Sequence, residues 1–90
     1  GEEFTVILPN TDGAGAVVMA ERLRNAIASA PWTHRSITAS FGAATFNNVV
    51  DTGEKLIAEA DRALYTSKEK GRNTVTHAQY GAARRNEQDE

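Results

Sequence analysis

LIAEADRALYTSKEKGRNTVTHA, residues Leu56 to Ala78, decides the fold. Leu56, Ile57, Ala60, Ala63 and Leu64 recur at helical spacing, which predicts a helix with one apolar stripe. The helix runs to about Lys70. Gly71 stands where a left-handed C-terminal cap needs a residue without a Cβ. NTVTHA, 73–78, then reads as a short strand. A helix that ends on glycine and feeds a strand belongs to a layered fold of helices on a sheet.

Working outward, NNVVDTG is a loop, and Asp51 followed by Glu54 resembles a capping box at the helix start. ITASFGAATF, 37–46, alternates Ile37, Ala39, Phe41 and Ala43 with Thr38, Ser40 and Gly42, the pattern of a strand. The face marked by Ser40 and Gly42 is unusually small. It implies either close approach of another backbone or a ligand, or else a bulge or tight packing. Ahead of it, Val17, Ala20, Leu23 and Ile27 form a helical stripe, with Ala16 and Val18 beside them. Thr11 or Asp12 caps this helix, Glu21, Arg22 and Arg24 supply its polar surface, and it ends near Ala30, before Pro31. EEFTVIL, 2–8, reads as a strand with Glu2, Phe4, Val6 and Leu8 on one face and Glu3, Thr5 and Ile7 on the other. Pro9 and Asn10 end it.

The order is strand, helix, strand, helix, strand, an α/β (α+β) layer with helices covering a sheet. Residues 1–78 are expected to form the folded part and 79–90 a polar tail or linker. The first strand starts without a partner turn, so more sheet is expected ahead of it.

Composition narrows the chemistry. A 90-residue chain fits one small domain or part of one. A net charge of −2 gives no basic field and no argument for nucleic acid. Without cysteine there is neither a disulfide nor thiolate chemistry, and His34 and His77 are too few for a histidine-rich metal centre. A hard cation held by carboxylates remains open. Gly13 and Gly15 lack the following Lys-Ser or Lys-Thr of a Walker-type phosphate loop. No apolar run is long enough to span a bilayer, and no signal peptide opens the chain. A cytoplasmic domain is expected, with any membrane anchor lying upstream.

Three clusters suggest a site: Glu2 with Glu3, Ser40 to Gly42, and Lys68 with Arg72. Strand alternation sends Glu2 and Glu3 in opposite directions. Lys68, Lys70 and Arg72 either match the negative end of the helix dipole on a solvated surface, or Lys68 and Arg72 grip a polyphosphate. Arginine offers a rigid fork and lysine a mobile point charge. A nucleotide with magnesium needs such cations for its phosphates and hard oxygen ligands for its ion, which Glu2 could supply. Asp61 and Tyr65 share one helical flank and read as orienting the helix. Trp32 reads as packing, His34 as a surface loop residue, and His77 has no assigned role.

In this order and spacing the pieces resemble the GGDEF family of diguanylate cyclases. GEEF followed by an apolar strand is similar to the later part of the GG(D/E)EF signature. MAERLRNAI is similar to the next helix, ITASFGAA to a TVSxGxA strand, and ADRALYTSKEKGRNTV to an ADxALYxAKxxGRNxV segment. The resemblance runs from Gly1 to about Val75. It implies the palm core of nucleotidyl cyclases and polymerases, a ferredoxin-like antiparallel sheet with flanking helices, of which this chain carries the C-terminal part. It also implies condensation of two GTP into cyclic dimeric GMP (c-di-GMP) and pyrophosphate, by metal-assisted attack of each 3′-hydroxyl on the opposing α-phosphate. Mg2+ or Mn2+ would be the metal, and two full domains would face each other as a homodimer, commonly under an upstream sensor or regulatory domain. Carried over by position, Gly1 lies against the nucleotide, Glu2 and Glu3 are catalytic and metal-binding, and Phe4 is core. Lys68 and Arg72 contact the triphosphate, and Arg22 joins a secondary product-inhibition contact. The first signature glycine and the upstream metal and guanine contacts are not in these 90 residues, so the chain alone is expected to be inactive. Two other readings stay open: a catalytically silent module that binds GTP or c-di-GMP, and a structural dimerisation remnant.

Overall fold

The computed structural model describes residues 3–82. Two helices flank a three-stranded sheet. The elements are α1 (Gly13–Ser29), β1 (Phe41–Ala43), α2 (Gly53–Glu69), β2 (Val75–His77) and β3 (Gly81–Ala82). The α/β class and the helix–strand alternation from Gly13 onward are those expected.

Helix α1 starts where Asp12 supplies its carboxylate to the Gly15 N–H at 2.8 Å, satisfying one of the orphan donors of the first turn. Its other end is closed by a side chain rather than by a cation: Trp32 Nε1 donates to the Ile27 carbonyl at 2.7 Å. Helix α2 is capped by Thr52, whose hydroxyl accepts from Lys55 N–H at 3.1 Å. Asp51, expected as the cap, lies one residue outside and pairs with Lys55 Nζ at 3.0 Å. The preceding loop closes on Asn47, whose Oδ1 accepts from Val49 N and Val50 N at 2.8 and 2.6 Å. This turn leaves Val50 buried beneath the helix start.

The end of α2 is a Schellman turn. Arg72 N–H donates to the Ser67 carbonyl at 3.0 Å and Gly71 N–H to the Lys68 carbonyl at 3.3 Å, with Gly71 at φ +110°. Arg72 and Asn73 continue in the left-handed region at φ +67° and +50°. Regular strand geometry therefore begins at Val75, two residues later than the sequence pattern suggests.

The sheet order is β1-β2-β3. β1 and β2 are parallel, with Gly42 opposite Thr76, because the 17-residue helix α2 carries the chain back to the starting end before β2 begins. β2 and β3 are antiparallel. The sheet is thus mixed where an antiparallel one was expected, and the chain beyond Ala78 returns to add β3 where a tail was expected. The alternating run 37–46 yields regular strand only at 41–43, the residues that face β2.

Gly42 explains the small face of β1. A Cβ there would lie 2.1 Å from the Ala60 carbonyl oxygen and 2.3 Å from the Leu64 nitrogen, so the backbone of α2 rests directly on the strand. Of the alternatives open in the sequence, close backbone approach is the one realised. On the same face Ser67, fully buried, lies with its Oγ 2.7 Å from both the Phe41 carbonyl and Thr76 Oγ1. A carbonyl only accepts, so the single Ser67 proton goes to Phe41 and the Thr76 hydroxyl supplies the proton of the second bond. On the opposite face His77 is 1% exposed, and the Tyr80 ring stacks on it at 4.7 Å while covering Gly13 at the head of α1.

Three further expectations fail. Residues 3–8 form no strand, and Phe4 is 86% exposed rather than core. A strand needs a neighbour for its N–H and C=O groups, and no described segment pairs with this one. Arg24, read as polar surface, is buried at 5% exposure. Its guanidinium finds acceptors inside, which is the condition for burying an arginine.

Candidate functional site

The site residues sit at the end of α2 and beside it. Asp61, Leu64, Tyr65 and Lys68 follow at three- and four-residue steps, so they form one flank of the helix. Glu3 approaches that flank from the N-terminal segment. Together the five side chains line a shallow groove of about 220 Å³. Across it Glu3 Oε2 lies 3.7 Å from Lys68 Nζ, a long, solvent-exposed ion pair of little energetic weight. Its value is positional, since a carboxylate and an ammonium share one opening.

Lys68 is on the last turn of α2, where a cation also suits the helix dipole. Arg72 is exposed on the left-handed turn that follows and is not part of the groove lining. The structure thus joins Glu3 to Lys68 and sets Arg72 at the helix terminus. Arg22 is exposed on α1. Gly1 and Glu2 lie outside the described residues.

Asp61 was read as orienting the helix, yet it lines the groove with Glu3 and Lys68. Its four-residue step to Tyr65 and seven-residue step to Lys68 carried that signal. Among the described residues no group of three or more Asp, Glu or His converges into a metal cage. Two exposed carboxylates on one opening nevertheless suit magnesium, which keeps several waters and takes one or two carboxylates plus substrate phosphates. A second hollow, about 310 Å³, is lined by Trp32, Thr33, His34, Arg35 and Ile37. Its mostly apolar walls offer no carboxylate, so the groove at Lys68 is the better candidate for polar chemistry.

His77 is the buried titratable group nearest the sheet centre. Gln79 N–H donates to its Nδ1 at 3.0 Å, so the ring proton sits on Nε2, 2.8 Å from Thr45 Oγ1. Burial pushes its pKa below the ordinary histidine value. A neutral, doubly bonded ring is a structural post here and not a base facing the groove.

Residues 1–74 match the family model described as diguanylate cyclase, GGDEF domain. The chain belongs to the GGDEF family. Curated relatives agree. Diguanylate cyclase A of Treponema denticola is 36% identical over 80 residues, covering 84% of this chain and 22% of the relative. The probable diguanylate cyclase DgcF of Escherichia coli K12 is 35% identical over 89 residues, 90% of this chain and 28% of the relative. The response regulator PleD of Caulobacter vibrioides is 38% identical over 81 residues, 83% of this chain and 18% of the relative. This GGDEF chain therefore spans less than a third of the length of each. No helix among its described residues is long and apolar enough to cross a membrane.

Proposed function

We propose that this chain is the C-terminal part of a diguanylate cyclase domain, whose substrate is GTP and whose product is c-di-GMP. The observation that carries the reading is the GGDEF family match over residues 1–74. The shared opening of Glu3 and Lys68 supports it, because it puts a hard oxygen ligand beside a phosphate-binding cation. In this reading Lys68 and Arg72 hold the triphosphate, in the ground state as much as in the transition state. Glu2 and Glu3 hold the metal, with Gly1 against the nucleotide and Glu2 as proton acceptor. Asp61 adds a second carboxylate to the groove. The chemistry supplied by bound Mg2+ or Mn2+ is polarisation of the α-phosphate and a lower pKa for the attacking hydroxyl. Each 3′-hydroxyl forms a bond to the α-phosphorus of the opposing GTP, the α–β anhydride bond breaks, and pyrophosphate departs. Two domains must therefore face each other as a homodimer. Arg22 is assigned to a secondary product contact on α1.

The test is GTP turnover in the complete domain, with Glu2→Ala and Lys68→Ala compared to the parent. Glu2→Ala should reduce kcat by ~100-fold or more, the scale of losing a transition-state electrostatic partner. Lys68→Ala should mainly raise KM. Unchanged turnover in Glu2→Ala removes its metal role. The 90-residue chain by itself should give little or no cyclic product, and robust turnover by it would refute the assignment as a partial domain.

A further inference from the structure

Arg24 is 5% exposed, an uncommon place for a guanidinium unless its donors are satisfied. Its Nε and Nη2 donate to Glu21 Oε1 at 3.1 and 2.9 Å, and Nη2 also donates to Asn25 Oδ1 at 3.0 Å. These bonds are local to α1 and fix the plane of the fork. The remaining arm leaves the helix: Nη1 donates to Asn73 Oδ1 at 2.9 Å, across 49 positions of sequence.

Asn73 belongs to the turn that carries Arg72. Gly71, Arg72 and Asn73 all have positive φ, at +110°, +67° and +50°. Consecutive non-glycine residues in the left-handed region persist only where their surroundings over-determine them. Four bonds do so here. Arg72 N–H is held by the Ser67 carbonyl at 3.0 Å, and the Arg72 carbonyl by the Thr74 hydroxyl at 2.8 Å. Asn73 N–H is held by Ser40 Oγ at 3.1 Å, and the Asn73 carboxamide by Arg24. The Arg72 backbone is pinned on both sides while its side chain stays exposed. Only the last of these bonds comes from α1.

We propose that Arg24 is a positioning residue for nucleotide binding: by holding Asn73 it fixes the left-handed turn that presents Arg72 to the triphosphate. The inference rests on the cyclase reading of Arg72 given above. A fork suits the task because Glu21 and Asn25 orient one side of the guanidinium while the other reaches Asn73. A lysine in its place has no rigid geometry to transmit.

The test is steady-state GTP kinetics in the complete domain for Arg24→Ala, Asn73→Gly, Arg72→Ala and the two doubles with Arg72→Ala, alongside melting temperatures. Asn73→Gly guards against failure of Arg24→Ala to fold, since glycine accepts the positive φ and keeps the N–H that bonds Ser40, while the acceptor of Arg24 is lost with the side chain. Losing or misdirecting one charge-assisted bond to phosphate weakens binding by about tenfold or more, so each single variant should raise KM by about tenfold with kcat within about threefold. Adding either one to Arg72→Ala should raise KM no further. A folded Asn73→Gly or Arg24→Ala with parental KM, where Arg72→Ala raises it, overturns the positioning role alone. Multiplying effects in the doubles do the same. Parental KM in Arg72→Ala would instead sink the phosphate reading of Arg72, and the positioning role with it.

Discussion

A single buried ring makes the fold sensitive to acid. His77 is held neutral by its surroundings: burial disfavours the imidazolium, and its Nδ1 already accepts the Gln79 N–H. Protonation at Nδ1 would break that bond and put a charge beneath Tyr80 in the sheet centre. The unfolded chain meets no such penalty and protonates near the ordinary value of about 6.5. Between the lowered folded value and 6.5 the unfolded state therefore binds more protons, and stability rises with pH across that window. The contribution is fully present above 6.5 and is lost as pH falls through the window. In the complete domain, proton NMR titration should give His77 a pKa below the ordinary value of about 6.5, and the urea midpoint should drop between pH 7.5 and 5.5. A His77 value at or above 6.5 would contradict the burial seen here.

The contact between α2 and β1 works at the scale of whole elements, and it is made of polar atoms as much as of apolar ones. Gly42 lets the helix backbone rest on the strand, and Ser67 then bonds the strand backbone at Phe41 and the neighbouring strand at Thr76. Burying a hydroxyl is costly only when it is left unpaired. Thr76→Val removes one partner and leaves the Ser67–Phe41 bond, so it should cost little. Ser67→Ala strands the buried Thr76 hydroxyl and should cost about 1–3 kcal/mol. The double variant, Ser67→Ala with Thr76→Val, should recover most of that loss. Urea unfolding of the four proteins, each made in the complete domain, measures the coupling, and strictly additive effects would show that the two hydroxyls do not act as a pair.

Across the whole molecule, the sequence was legible where the signal is local. The Asp12 cap and the Gly71 turn depend on neighbours within a few residues, and each stands as the pattern implies, whereas the α2 stripe turns fully inward only at Ala63 and leaves Ile57 exposed. Lys68 was legible as the cation of the last turn of α2 for the same reason. What depended on distant partners was not legible. Residues 3–8 alternate like a strand but have no described neighbour to pair with, and Arg24 sits in a polar stretch of α1 while its deciding acceptor, Asn73, is 49 positions away. Asp61 was legible as sharing a flank with Tyr65, but that this flank lines a groove depends on where Glu3 arrives. This division also sets the stability of the whole. Among the described residues the buried hydrophobic side chains are Ala20, Val50, Ala63 and Val75, while Phe4, Ile7, Phe46, Val49 and Ile57 are more than half exposed. Two alanines and two valines bury little apolar area, and burial is what offsets conformational entropy in a small domain. The helices have good local caps, so they should survive when the packing between them does not. The 90-residue chain alone should therefore keep helical far-ultraviolet circular dichroism, melt over a broad range, and bind the dye ANS at its exposed apolar side chains. Calorimetry should give a van't Hoff enthalpy that departs from the calorimetric one. A single sharp transition with equal enthalpies and no dye binding would show that these few buried side chains, with the polar network around Ser67 and His77, suffice for a cooperative fold.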